Sequence, residues 1–198
     1  MEIEEIKNFI NETKKELGEI QKINNNLRRT KDKDQKRVLL QQKWSIEATI
    51  KSQVNKAEKN FREMLKEIVK EIIEGGDSEK LVIISEELGI ILKEHNVTNT
   101  KIRNIFEYAK GIHVAIKMNT DKKLTPQEIT KINLLSPKIA YIKSREKGNT
   151  AQTLETLKML FDECIASINK NPEKEKFQRF MDMFEATLAY HKYYGGKN

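Results

Sequence analysis

The sequence is poor in the residues that punctuate or cross-link a chain. Cys164 is the sole cysteine, so no disulfide can form within it, and a lone thiol at an apolar helical position fits a reducing cytosol. Eight glycines and three prolines in 198 residues are too few for the tight turns of a sheet-rich fold. Long apolar runs are missing too. The richest stretch, "LVIISEELGIIL" (81–92), is interrupted by Ser85, Glu86 and Glu87, so it is too short and too charged to span a bilayer. The first ten residues, "MEIEEIKNFI", are acidic and lack the apolar centre of a signal peptide. A soluble, cytoplasmic protein with no membrane partner is expected.

What the sequence does have is charge and helical periodicity. Charged residues make up 34% and hydrophobic residues 37%, with a net charge of +7 and a pI near 9.3. That balance permits association with a polyanion, but a solvated surface of mixed sign gives the same total. Ile3, Ile6, Ile10, Thr13, Leu17, Ile20, Asn24 and Leu27 alternate at steps of three and four, a heptad seam with two polar members. Asn24-Asn25-Asn26 should weaken that helix, because asparagine competes for its own backbone. Ile50, Val54, Ala57, Phe61, Met64, Ile68 and Ile72 form a second stripe that stops at Gly75-Gly76. Together they predict an antiparallel helical hairpin over residues 1–74.

Beyond Gly76 the helices shorten. Asp77 or Ser78 is placed to cap a helix containing the 81–92 stretch, which is apolar nearly all round and therefore central. Thr100 caps the next, burying Ile102, Phe106, Ala109, Ile112 and Ile116. "LTPQE" (124–128) supplies Thr125 as N-cap, Pro126 at the first helical position and Glu128 closing a capping box. "SPK" (136–138) should bend or restart the helix that follows. Thr150 opens a helix with Leu154, Leu157, Phe161, Cys164, Ile165 and Ile168 inward. Asn171-Pro172 opens the last, with Phe177, Phe180, Met181, Phe184, Leu188 and His191 on one stripe. The fold class is all-α: a compact bundle over 77–198, preceded by a hairpin over 1–76 that is either an extension or part of that bundle.

No pattern of catalysis stands out. His95, His113 and His191 are scattered, without HExxH or Cys/His spacing for a metal. There is no phosphate-binding glycine loop and no nucleophile elbow, and a thiolate at Cys164 would be disfavoured among its apolar neighbours. No enzyme, metal or cofactor is expected. Polyanion binding has more support. "RRTKDKDQKR" (28–37) holds six basic and two acidic residues at the hairpin tip, as a contact or as a solvated loop. In "KIAYIKSREKG" (138–148), Tyr141 and Arg145 share a helix face, with Lys138 one turn earlier. Cations in line with an aromatic ring suit phosphates and a stacked base, although Tyr141 beside Ile139, Ala140 and Ile142 also fits a core. Arg103 and Lys110, with Glu107 between them, fit an ion-pair ladder equally well.

Four fragments in this order, "TKIRNI" (100–105), "LTPQEI" (124–129), "LSPKIAYIKSREKG" (135–148) and "FQRFMDMFEATLAYHKYYGGKN" (177–198), resemble the small helical subunit of type III-A CRISPR interference complexes, the Csm small subunit. The likeness runs from about Ser78 to Asn198; residues 1–74 have no counterpart in it. The resemblance implies a non-catalytic, RNA-binding and scaffolding subunit in antiviral defence. Its partners would be crRNA and target single-stranded RNA, the other Csm effector subunits and further copies of itself, with a homodimer in isolation left open. Carried over onto the matching motifs, the RNA-binding residues are Lys101, Arg103, Lys138, Tyr141, Arg145, Lys192 and Lys197. A dimeric coiled-coil adaptor, paired through the heptad seam and only incidentally basic, is the competing reading.

Overall fold

The computed structural model describes residues 3–197, and among them it contains helices joined by short turns, with no β-strand beyond one isolated antiparallel bridge, Lys123 to Glu173. Helix α1 spans Ile3–Arg29, opening on Glu4 and Glu5 and closing on Arg28 and Arg29, charges that complement the helix dipole at both ends. It runs straight through Asn24-Asn25-Asn26, where a weakening was expected. Packing against α2 (Lys33–Glu63) outweighs the local preference of asparagine. The turn is only Thr30-Lys31-Asp32. Asp32 caps α2 by accepting from the backbone N–H of Asp34 (2.8 Å) and Gln35 (2.9 Å), so the rest of the basic run is helical rather than loop.

The second arm is not the single helix expected. It breaks at Met64, resumes as α3 (Leu65–Ile68) and ends in a π-helical turn over Val69–Glu74. Gly75 N–H reaches back to Lys70 O, five residues earlier. The wider turn lets the adjacent pairs Ile68/Val69 and Ile72/Ile73 all point inward, each at most 5% exposed. Gly76, at φ +76°, then reverses the chain.

Helix α4 (Ser78–Glu94) follows, capped by Asp77 through a hydrogen bond from Lys80 N–H, and it is central as expected. Next come α5 (Asn99–Met118), α6 (Pro126–Asn133), α7 (Leu135–Lys143), α8 (Gly148–Lys170) and α9 (Lys174–Tyr193). The five α5 residues expected inside are buried, but the N-cap is Thr98 rather than Thr100. The capping box of Thr125 and Glu128 is present in full, with Pro126 in the first turn. The chain restarts at Leu134, so Pro137 lies in the first turn of α7, where its missing N–H costs little. α8 begins two residues before Thr150, whose hydroxyl instead donates to His95 O (2.8 Å). α9 begins two residues after Pro172.

One apolar core runs through these elements, from Ile6 and Ile10 through Val54, Phe61, Leu88 and Ile102 to Phe184. Its aromatic centre sets Phe161 edge-on to Phe180 (4.7 Å) and Phe184 (5.1 Å). α4 and α9 approach so closely that a Cβ on Gly89 would lie 2.7 Å from the Tyr190 Cβ. The heptad seam is spent inside the molecule. Ile6, Ile10, Thr13 and Ile23 are buried within the single chain, with Ile23 rather than Asn24 taking the distal position. The other seam members, Leu17, Ile20 and Leu27 among them, stay half-buried.

Candidate nucleic-acid interface

α5 presents two flanks on either side of its buried stripe, because residues seven apart return to one face while residues two apart diverge by about 200°. Lys101 and Tyr108 look toward α7. Lys101 Nζ pairs with Glu146 at 2.9 Å, and Lys138 Nζ sits 3.8 Å from the centre of the Tyr108 ring. Arg103 and Lys110 look the other way, into a cleft between α5 and α9 shared with Phe106, Glu185 and Lys192. No ion pair ties either cation to Glu107 among the described residues, so the ladder that this spacing also fits is not formed.

Around α7 only the Tyr141–Arg145 part of the expected strip is formed. Tyr141 is 65% exposed, which rules out a core role, while its neighbour Ile139 is fully buried. The Arg145 guanidinium carbon lies 5.8 Å from the Tyr141 ring centre. Arg145 is exposed, just beyond the C-terminus of α7, and the Ser144 hydroxyl fixes that end by donating to Tyr141 O (2.7 Å). Lys138 does not join this pair in a straight strip, since the Tyr108 ring draws it toward α5. The adjacent Lys143 is neutralised by Glu155 at 2.6 Å.

The C-terminal tail divides its cations. Lys192 faces the α5–α9 cleft, whereas Lys197 lies in a different depression beside Lys51, Lys93 and Glu94. Between them the tail is structural. His191 is fully buried, with Nε2 2.8 Å from Val97 O and Nδ1 2.9 Å from Asn99 Oδ1. Burial holds this imidazole below its ordinary pKa. Gly195 turns the chain at φ +88°, and a Cβ on Gly196 would fall 2.2 Å from the His191 ring. The Asn99 amide donates to Gly196 O (3.1 Å) and its N–H to Lys197 O (2.7 Å), tying the tail to α5. Tyr194 donates to Glu86, which also accepts Lys14 at 2.7 Å. Burial first, then the carboxylate, raises the Tyr194 phenol far above its usual range.

The seven expected residues therefore form two groups and one outlier rather than one patch. Tyr141, Arg145 and Lys138 lie on the α7 flank, with Lys101 beside them but neutralised. Arg103 and Lys192 share the α9 flank, and Lys197 stands apart. Lys110 and Tyr108 lie within these groups and were not among the expected residues. Their signal was the seven-residue spacing from Arg103 and Lys101. Among the described residues no cluster of His, Cys, Asp and Glu could hold a metal, and no helix is long and apolar enough to cross a membrane.

The described residues thus form an all-helical unit that presents exposed cations and an exposed tyrosine. A profile of the Csm2 Type III-A family matches residues 75–197. The chain belongs to that family, the small subunits of type III-A CRISPR effector complexes. Searches of the curated proteins and of the solved structures gave no match.

Proposed function

We propose that the chain is the non-catalytic, RNA-binding and scaffolding small subunit of its effector complex. It holds crRNA and target single-stranded RNA by the backbone, alongside the other Csm subunits and further copies of itself. In this reading residues 77–198 are the working unit, and residues 1–76 are a hairpin whose root packs into the same core. The observation that carries it is the exposed Arg145–Tyr141 pair, a guanidinium set against an accessible ring, with Arg103 on the opposite flank of α5 making no ion pair among the described residues. Such groups contact phosphates and stack on any base, so binding is indifferent to guide sequence. Several copies along one strand strengthen a weak single contact through effective concentration.

The test is a salt titration of single-stranded RNA binding to Arg103→Ala/Arg145→Ala. Affinity should fall alike for unrelated sequences, and the slope of log K against log salt should flatten by about 0.7 per lost phosphate contact. Binding indistinguishable from wild type would refute the assignment of these two residues.

A further inference from the structure

From Asn24 to Thr49 no residue is buried; the inward stripe of α2 begins at Ile50. The far end of the hairpin therefore stands clear of the bundle, with about 25 Å of α2 projecting at about 1.5 Å per residue. Between Arg28 and Trp44 lie seven cations and two carboxylates, five of the chain's seven net positive charges. Both carboxylates are already engaged, Asp32 as the N-cap and Asp34 at 3.9 Å from Arg37. Arg28, Arg29, Lys31, Lys33 and Lys36 have no ion-pair partner among the described residues. Elsewhere in the molecule lysines such as Lys14, Lys101, Lys143 and Lys158 are matched by carboxylates at 2.6–2.9 Å.

The sole tryptophan of the chain, Trp44, lies at the root of this arm and is 65% exposed. Lys33, Arg37, Leu40 and Trp44 succeed one another at steps of four, three and four, and so share one face of α2. A bare indole in line with cations is what single-stranded nucleic acid engages: the ring stacks a base and the cations track the phosphates. The same surface is ill suited to a membrane, because Gln41, Gln42 and Lys43 break its apolar face. It is also ill suited to its own copy, because two tips would oppose like charge.

We propose that this arm is a second site for single-stranded nucleic acid, with Trp44 as the stacking platform and Lys33, Lys36 and Arg37 as phosphate contacts. It lies outside the stretch matched by the family and does not depend on the Arg103 and Arg145 assignment.

Because Trp44 is the only indole, its emission reports on this site alone. Titrating the full-length protein with oligouridine at low salt should quench that emission saturably. The half-saturation point should weaken by at least fivefold in Lys33→Ala/Arg37→Ala, two exposed positions whose substitution should leave the circular dichroism spectrum unchanged. Arg103→Ala/Arg145→Ala should keep the full quench, which separates this site from the other. RNA binding seen by fluorescence anisotropy with unchanged Trp44 emission, and with unchanged affinity in Lys33→Ala/Arg37→Ala, overturns the proposal. So does a Trp44 spectrum that shifts with protein concentration without RNA, which would mark the arm as a self-association surface. No binding of oligouridine by either measurement overturns this site and the first together.

Discussion

The Glu58 carboxylate and the His95 imidazole meet in the interior, with Oε2 3.1 Å from Nδ1 and both side chains only 2% exposed. Thr153 Oγ1 lies 2.7 Å from the same ring nitrogen. The other carboxylate oxygen accepts from Arg62 (3.0 Å) and from Thr156 (2.6 Å). Through this network α2 is fastened to the end of α4 and to α8. Burial alone would raise the Glu58 pKa, but the hydrogen bonds from His95 and Thr156, with the charges of His95 and Arg62, outweigh it and hold the carboxyl below its ordinary value of 4.5. A depressed carboxyl stabilises the fold above that ordinary value, and the contribution is lost as pH falls through the lower, folded value. Glu58→Gln should cost about 3 kcal/mol at pH 7, as for one partner removed from a buried pair. The deficit should shrink below pH 4.5. Urea unfolding from pH 3 to 7 measures both.

Glu87 shows the opposite sign. Neither of its carboxyl oxygens has a hydrogen-bond partner among the described residues, and burial pushes its pKa up to about 8. With the folded value above the unfolded one, the contribution is full below about pH 4.5 and is lost as pH climbs toward 8. Glu87→Gln should therefore be nearly neutral at pH 4.5 and stabilising by roughly 1–3 kcal/mol at pH 8.5, the scale of an unsatisfied buried group. Thermal melts at the two pH values check this. A wild-type Tm that fails to fall relative to the variant between them would contradict it.

Gly196 has no room for a side chain, since its Cβ would overlap the His191 ring. Gly196→Ala should destabilise by about 2 kcal/mol through overpacking. For a chain of this size that lowers Tm by roughly 4–8 °C. His191→Ala in the same background should recover part of the loss, because it removes the clashing ring. Differential scanning calorimetry of the single and double variants tests the coupling.

Tyr141 is exposed, so its substitution should leave stability within about 0.5 kcal/mol. If it stacks RNA bases, Tyr141→Ala should weaken single-stranded RNA binding by about 1–3 kcal/mol while Tyr141→Phe retains it. Anisotropy titrations of the two variants separate a stacking ring from a hydrogen-bonding hydroxyl.

The helices and most of their buried stripes were legible because each rests on local spacing. Ile50 to Ile72, Ile102 to Ile116 and Leu154 to Ile168 were found from steps of three and four alone. What escaped the sequence depended on distant partners. The π turn over Val69–Glu74 follows from four neighbouring apolar residues all needing to face one core, and the passage of α1 through three asparagines follows from the opposing arm. The site was half legible. Tyr141 and Arg145 share a face by spacing, but Lys101 meeting Glu146 and Lys138 meeting Tyr108 are contacts between helices. The buried Glu58 and His95 lie 37 positions apart and gave no signal.

The root of the hairpin shares its interior with α4, where Ile6, Val54 and Phe61 belong to the same apolar mass as Ile84, Leu88 and Leu92. The stretch bearing the family signature, residues 75–197, is thus roofed by a part of the chain that carries none of it. A fragment cut at Gly76 would lose its lid, leave Ile84 and its neighbours wet, and clump rather than stand as a miniature of the whole. In this protein the edge of the family match falls inside a shared core rather than at its margin.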